Sequence, residues 1–335
     1  MRTFRDFMES ALYDPERGFY ARRTPTEDFY TAPELHPAFG GALASAIAER
    51  LDVLDSQGVP GPYSIVEMGS GTGTLARQVL LALQKDRPDL AAKTVYILVE
   101  TSKGLLMQSL LALSGLSTRL LGYQNLEDVP SFRGVLFSNE LVDAFPVHVL
   151  EKKDGRVWEL YVDKKGEEVL GELSAPLRHS AAAAAAENLP ERQRHAVNLE
   201  ATLWLQSVAS RLEDGFLLTV DYGKRFNPGD ANAPRTFFRH RVGDALTDRA
   251  GRQDLTANVD FEQLISEGAR LGLKLESYNS LSRFLLDHGI DRLFPQGQDT
   301  GSYKERAKLK TLIHPEGMGE VFKVLIQRRA RASSC

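Results

Sequence analysis

The stretch Ile65-Val66-Glu67-Met68-Gly69-Ser70-Gly71-Thr72-Gly73-Thr74-Leu75 constrains this chain more than any other. Apolar residues over 63–68 predict a buried strand, and apolar spacing over 74–85 predicts a helix. Between them stand glycines at alternate positions, which gives a strand, a turn and a helix in that order. Glycine allows backbone angles and close ligand approach that other residues resist. Free amides at the start of the following helix favour an anion.

The alternatives for such a turn separate on spacing. A dinucleotide turn places its glycines at positions one, three and six, whereas these stand at one, three and five. A phosphate loop needs a lysine and a hydroxyl residue after its last glycine, and Thr74-Leu75 stand there instead. The anion that fits is the methionine carboxylate of S-adenosylmethionine, with Glu67 at the cofactor's amino end. Glu100 ends the next strand, over 94–100, where a carboxylate can accept hydrogen bonds from both ribose hydroxyls. The bland alternative is a tight turn with two solvated carboxylates at the strand ends.

Alternation continues on both sides of this unit. A helix over 104–114, a short strand near 119–121 and a buried strand over 134–138 lead to Asn139-Glu140. Ligands of open α/β sheets sit beyond the carboxyl ends of the strands. That is where the glycine turn, Glu100 and Asn139-Glu140 fall. After Pro146 the alternation stops: 148–162 reads as a hairpin turning at Lys153-Asp154-Gly155, followed by the run Ala181 to Ala186. A helix over 199–212, a strand over 216–220 ending in Asp221-Tyr222-Gly223, a helix over 261–271 and strands over 273–278 and 320–327 complete the pattern. The chain is therefore divided into an N-terminal helix and loop segment, 1–50, that contributes to the cofactor cleft, a cofactor-binding half, 51–145, and a hairpin insertion, 146–198. A continuation of the sheet, 199–281, a helical insertion, 282–315, and a final strand, 316–330, follow.

Composition removes several classes. With 41 basic and 45 acidic residues the net charge is −4, so the broad attraction to a phosphate backbone is missing and a nucleic-acid partner is disfavoured. Cys335 is the single cysteine, which excludes an intrachain disulfide and fits a reducing cytoplasm, the expected location. The acids Asp6, Glu9 and Asp14 predict that the first residues belong to the fold rather than to a presequence. No apolar run is long enough to span a bilayer, so no membrane insertion is expected. The histidines show no metal-ligand spacing, so no metal is expected. His240 between Arg239 and Arg241 reads as a solvated charge run or a partner surface. Phe19, Tyr20, Phe29 and Tyr30 read as core or as an aromatic gate.

Further blocks carry a resemblance. Phe7 to Pro15, Gly18-Phe19-Tyr20, Asp28 to Glu34, the glycine turn, Asn139 to His148, Asp221-Tyr222-Gly223, Asp254 to Phe261 and His314 to Gly319 together resemble the MidA-like methyltransferase family, which includes the mitochondrial complex I assembly arginine methyltransferase. The resemblance runs nearly end to end. It implies an α/β class I methyltransferase with a Rossmann-like seven-stranded sheet, the last strand antiparallel, and a largely helical second lobe with insertions. It also implies Thr31, Pro33 and Glu34 near the cofactor, with Asn139, Glu140 and Asp143 near the transferred methyl group. The full cofactor set expected is Glu67, Gly69, Ser70, Gly71, Gly73, Thr74, Leu75, Glu100, Thr101, Asn125, Leu126, Asn139, Thr31, Pro33 and Glu34. The sequence departs from the family at 22–27, where a glycine-rich approach is usual, and at Thr72 and Gln78, where arginine and aspartate are common.

The expected function is methyl transfer from S-adenosylmethionine, with S-adenosylhomocysteine as product, to a protein arginine. The alternatives are a small-molecule acceptor and a non-catalytic cofactor-binding assembly factor. Transfer from a sulfonium is an in-line displacement that needs chiefly alignment. A guanidinium stays charged and presents planar donors, so carboxylates must orient it. Glu140 is the first candidate, with Asn139 and Asp143 beside it; a polar turn and a helix cap are the plain readings of these residues. The exposed hairpin serves homo-oligomerisation or partner docking equally well.

Overall fold

A computed structural model describes residues 1–22, 31–116, 118–238, 241–243 and 245–331. Phe29 and Tyr30, the rest of the Asp28 block before Thr31, the approach at 23–27, and the Arg239-His240 pair lie outside the described residues. The chain forms two compact units. One comprises Tyr30–Leu141, Leu205–Gly223 and Gln263–Cys335; the other comprises Met1–Phe29, Val142–Trp204 and Lys224–Glu262. The sequence predicts an insertion at 146–198 and one segment at 1–50, whereas the structure groups 142–204 with the first 29 residues and parts 1–50 between the units.

The larger unit holds the sheet. Its strands are β1 (Tyr63–Met68), β2 (Thr94–Val99), β3 (Arg119–Tyr123), β4 (Phe132–Asn139), β5 (Leu212–Lys224), β6 (Lys274–Ser280) and β7 (Phe322–Arg329). They lie in the order β6-β7-β5-β4-β1-β2-β3. β1 runs parallel to β2 and β4, β4 parallel to β5, and β2 parallel to β3. β7 alone runs antiparallel, paired with both β5 and β6. The expected seven-stranded class I sheet with its last strand reversed is therefore present. Consecutive residues point to opposite faces, and Ile65, Leu98, Val135, Phe137, Phe216 and Leu218 share one buried cluster with Phe39, Leu43, Ile47, Val79 and Leu83. The last five come from two helices, α1 (Ala38–Ser56) and α2 (Thr74–Asp86). A third helix, α3 (Lys103–Leu113), follows β2, with the Ser102 hydroxyl accepting from the Leu105 amide at its N-cap.

The smaller unit opens with the helix Phe4–Tyr13, whose buried face, Phe4, Phe7, Met8, Ala11 and Leu12, is the one its apolar spacing predicts. The Thr3 side chain caps it by accepting the Asp6 amide at 3.1 Å. The hairpin forms as expected: His148–Lys153 pairs antiparallel with Arg156–Val162. Asp154 and Gly155 both have positive φ, +54° and +71°, the requirement of a type I′ turn. Short strands at 2–3, 168–171 and 194–197 extend that sheet, and Arg235–Phe238 pairs with Arg241–Val242 and Asp254–Thr256 in another. The resemblance implies a largely helical second lobe, and the described residues of this unit combine helices at Phe4–Tyr13, Phe19–Arg22 and Ala181–Ala186 with these strands. Strands of two to four residues are too short to show a period of two in the sequence.

Candidate active site

The glycine turn takes its shape from backbone angles that L side chains resist. Gly69, Gly71 and Gly73 have φ of +70°, +52° and +82°. The Gly69 amide donates to the Val99 carbonyl at 2.8 Å, and the Gly73 amide donates to the Ser70 carbonyl at 2.9 Å. Gly73 is the N-cap of α2, and a Cβ placed on it would approach the Ser109 Cβ at 2.9 Å. The turn thus packs directly on α3, while Gly71 has nothing within 4 Å of its own missing Cβ. The first amides of α2 have no acceptor within the helix. Ser70 is buried, and its hydroxyl has no hydrogen-bond partner among the described residues. A polar ligand with an anionic end fits such a cradle.

Two carboxylates flank the turn. Glu100 follows β2, and its Oε2 accepts the Gly71 amide at 3.0 Å while its Oε1 accepts the Ser102 amide at 2.9 Å. One side chain therefore fastens the turn after β1 to the start of α3. Glu67 is 3% exposed, and its Oε2 accepts the Tyr96 hydroxyl at 2.6 Å. Burial pushes its pKa up to about 8; the Tyr96 hydrogen bond works against this and the nearby Glu100 charge adds to it. Burial also drives the Tyr96 phenol well above its ordinary value, with Glu67 contributing. The pair is a neutral acid held by a neutral phenol at neutral pH.

The exit of β4 lies on the same edge of the sheet, because Met68 pairs with Ser138 and Asn139 with Val220. A Cβ on Gly69 would lie 3.1 Å from Leu141 Cδ1, which puts the turn and this exit in direct contact. Glu140 has φ +50°, a left-handed conformation that costs a non-glycine residue free energy. Two bonds hold that stretch of chain in place, and a third holds the Asp221 carboxylate that makes one of them. The Glu140 amide donates to the Val220 carbonyl at 2.9 Å, and the buried Asp221 carboxylate accepts the Leu141 amide at 3.2 Å and the Tyr222 amide at 2.9 Å. Glu140 Oε1 accepts from Asn139 Nδ2 at 3.1 Å and from the Ala32 amide at 3.4 Å. Buried Ser138 Oγ, Asn139 Oδ1 and Thr219 Oγ1 have no hydrogen-bond partner among the described residues.

The remaining expected residues divide. Thr31 leads a short helix, Ala32–Leu35, and its carbonyl accepts the Glu34 and Leu35 amides. Pro33 is buried, and burial raises the Glu34 pKa while hydrogen bonds from Thr31 pull it back. Thr74 is exposed in the first turn of α2, and Leu75 is packed in the core. Thr101 is exposed, with its carbonyl accepting Gln124 Nε2 at 3.1 Å. Asn125 is exposed and donates to Asp128, whereas Leu126 is buried. Asp143 belongs to the other unit. It sits inside a 3₁₀ turn, Val142–Ala144, with its carbonyl accepting the Ala257 amide at 2.9 Å, and so does not cap a following helix.

Sequence reasoning missed Tyr96 and the clamping carboxylate of Asp221. Tyr96 lies opposite Ile65 on the neighbouring parallel strand, so aligning the two strands brings its hydroxyl diagonally onto Glu67. In the sequence Asp221 only marks the end of a strand, because its amide partners, Leu141 and Tyr222, leave no mark in side-chain spacing.

This sheet and this edge define a class I S-adenosylmethionine-dependent methyltransferase. The chain belongs to the family described as putative S-adenosyl-L-methionine-dependent methyltransferases, whose model matches residues 42–279. It is 29% identical to the mitochondrial protein arginine methyltransferase NDUFAF7 of Danio rerio, over 95% of this chain and 81% of that protein. The Drosophila melanogaster homologue is 27% identical over 96% and 80%. A solved structure from Burkholderia thailandensis, bound to S-adenosyl-homocysteine, superposes with a TM-score of 0.82 at 28% identity, covering 98% of this chain and 87% of that one. The cofactor is therefore S-adenosylmethionine. The expected cytoplasmic location is corrected by these comparisons, because the curated relatives are mitochondrial proteins. A single cysteine is compatible with any reducing compartment and does not distinguish one from another.

Proposed function

We propose that this chain methylates an arginine guanidinium of a protein partner, with Glu140 orienting the acceptor nitrogen. The observation that carries the reading is the placement of Glu140: a carboxylate at the β4 exit, beside the Leu141 that packs on the glycine turn, held in a left-handed conformation as the Val220 carbonyl accepts its amide and the Asp221 carboxylate accepts the Leu141 amide. Strained non-glycine residues persist where surrounding structure over-determines them, and they gather at functional sites. The names of the relatives from Danio rerio and Drosophila melanogaster support arginine as the acceptor.

The roles follow from chemistry already described. The first amides of α2 and the Ser70 hydroxyl take the carboxylate end of the cofactor, and Glu100 takes the ribose hydroxyls. When bound, the cofactor supplies an electrophilic methyl group on a sulfonium. Glu140 accepts hydrogen bonds from the planar donors of the guanidinium and concentrates nucleophilicity on the nitrogen that faces the methyl carbon. With the cofactor bound, its methyl would pass to that nitrogen, the bonding pair would stay on sulfur as S-adenosylhomocysteine, and the surplus guanidinium proton would pass to water.

The test is labelled-methyl transfer from S-adenosylmethionine into mitochondrial protein extract, followed by amino-acid analysis. Wild type is expected to label methylarginine, and Glu140→Gln to lower the rate by about 10²-fold or more while S-adenosylhomocysteine binding stays within threefold. Equal rates in the two proteins refute the role of Glu140, and label confined to small metabolites refutes the protein acceptor.

A further inference from the structure

We propose that Gln78 is a positioning residue for the cofactor: one hydrogen bond from its side chain fastens residues 31–35 against α2, and loss of that bond speeds cofactor release. The inference rests on the glycine turn being the cofactor site. Gln78 lies in the second turn of α2, the helix that the glycine turn opens. Its Nε2 donates to the Pro33 carbonyl at 2.7 Å. Among the described residues no backbone amide donates to that carbonyl. The short helix Ala32–Leu35 ends as the chain turns extended at His36, and the residue four positions on is Pro37, which has no N–H. Pro33 is buried, and among the described residues Gln78 supplies the donor that its carbonyl accepts.

The glutamine is oriented for this one bond. Only the amide nitrogen can meet a carbonyl oxygen, which fixes the flip of the side chain. Its Oε1 is buried with no hydrogen-bond partner among the described residues, so Gln78 leaves an acceptor unused in making the bond. The close seat requires Gly40 on α1, where a Cβ would lie 2.3 Å from Gln78 Cβ and 2.6 Å from Oε1. A side chain chosen for packing alone carries no such unsatisfied atom. The segment is tied a second time where the Ala32 amide donates to Glu140 Oε1 at 3.4 Å. Residues 31–35 therefore bridge the first turns of α2 and the β4 exit, on the edge where the glycine turn stands.

The experiment measures association and dissociation rates of S-adenosylhomocysteine with wild type, Gln78→Met and Glu100→Ala. Methionine keeps the length of the side chain and removes the donor. Dissociation is expected to be about tenfold faster in Gln78→Met, with association within twofold of wild type; a general loss of structure would slow association as well. Unchanged dissociation in Gln78→Met, with binding weakened in Glu100→Ala, overturns this inference alone. Unchanged binding in Glu100→Ala overturns the site reading and the inference with it. Should Gln78→Met not fold, amide hydrogen exchange of the wild type decides: S-adenosylhomocysteine is expected to slow exchange over residues 31–35, and unchanged exchange there overturns the proposal.

Discussion

Replacing Glu67 by glutamine should change how stability depends on pH, in a direction and by an amount that the structure sets. Glu67 is 3% exposed and its pKa stands at about 8 in the fold against an ordinary 4.5. The charged form is thus disfavoured in the folded protein by about 5 kcal/mol at most. Because the folded pKa is raised, the stability conferred by the neutral acid is complete below pH 4.5. It is lost as pH rises toward 8, and stability is level above that. Glutamine has nearly the same shape, stays neutral, and its carbonyl oxygen can still accept the Tyr96 hydroxyl. The assay is urea unfolding of the cofactor-free protein at pH 5, 6, 7, 8 and 9, comparing wild type with Glu67→Gln. The two are expected to be close at pH 5, with the variant gaining steadily to several kcal/mol by pH 9. A difference that does not change with pH, or one that favours the wild type as pH rises, refutes the buried neutral acid.

Two further substitutions test the turns. Gly73→Ala places a Cβ 2.9 Å from Ser109 Cβ at a φ of +82°, so it should cost about 2 to 4 kcal/mol by combining left-handed strain with overpacking. Thermal unfolding should show the loss, and a midpoint equal to wild type would mean the turn has another shape. Gly155→Val meets open space at φ +71°, so only the backbone objects. A loss of about 1 to 2 kcal/mol in urea unfolding is expected, and a larger one would show side-chain contacts that the hairpin lacks.

What the sequence made legible has physical reasons. The glycine turn was readable because strand, turn and helix lie consecutively and each has its own composition, and the structure forms them at 63–68, 69–73 and 74–86. The hairpin was readable because Asp154-Gly155 is a turn that demands positive φ at both positions. β5 extends from Leu212 to Lys224, well beyond the apolar core 216–220, because its polar ends are stabilised by pairing rather than by pattern. Outside the hairpin, the strands of the smaller unit have two to four residues, too few to show periodicity, and they leave the impression of an insertion. Gln78 was visible as a departure from the family and nothing more. Its contact joins a side chain to a carbonyl 45 positions away, and no local spacing encodes that.

The central claim is that the glycine turn and Glu100 hold the cofactor, and calorimetric titration of S-adenosylhomocysteine into wild type and Glu100→Ala tests it most directly. Glu100 accepts the Gly71 amide and, in the reading proposed above, the ribose hydroxyls, so the substitution should weaken binding by about 10²-fold, or about 2.7 kcal/mol. Saturable one-to-one binding by wild type, with that loss in the folded variant, is the predicted result. Equal affinity in the two proteins would contradict the account.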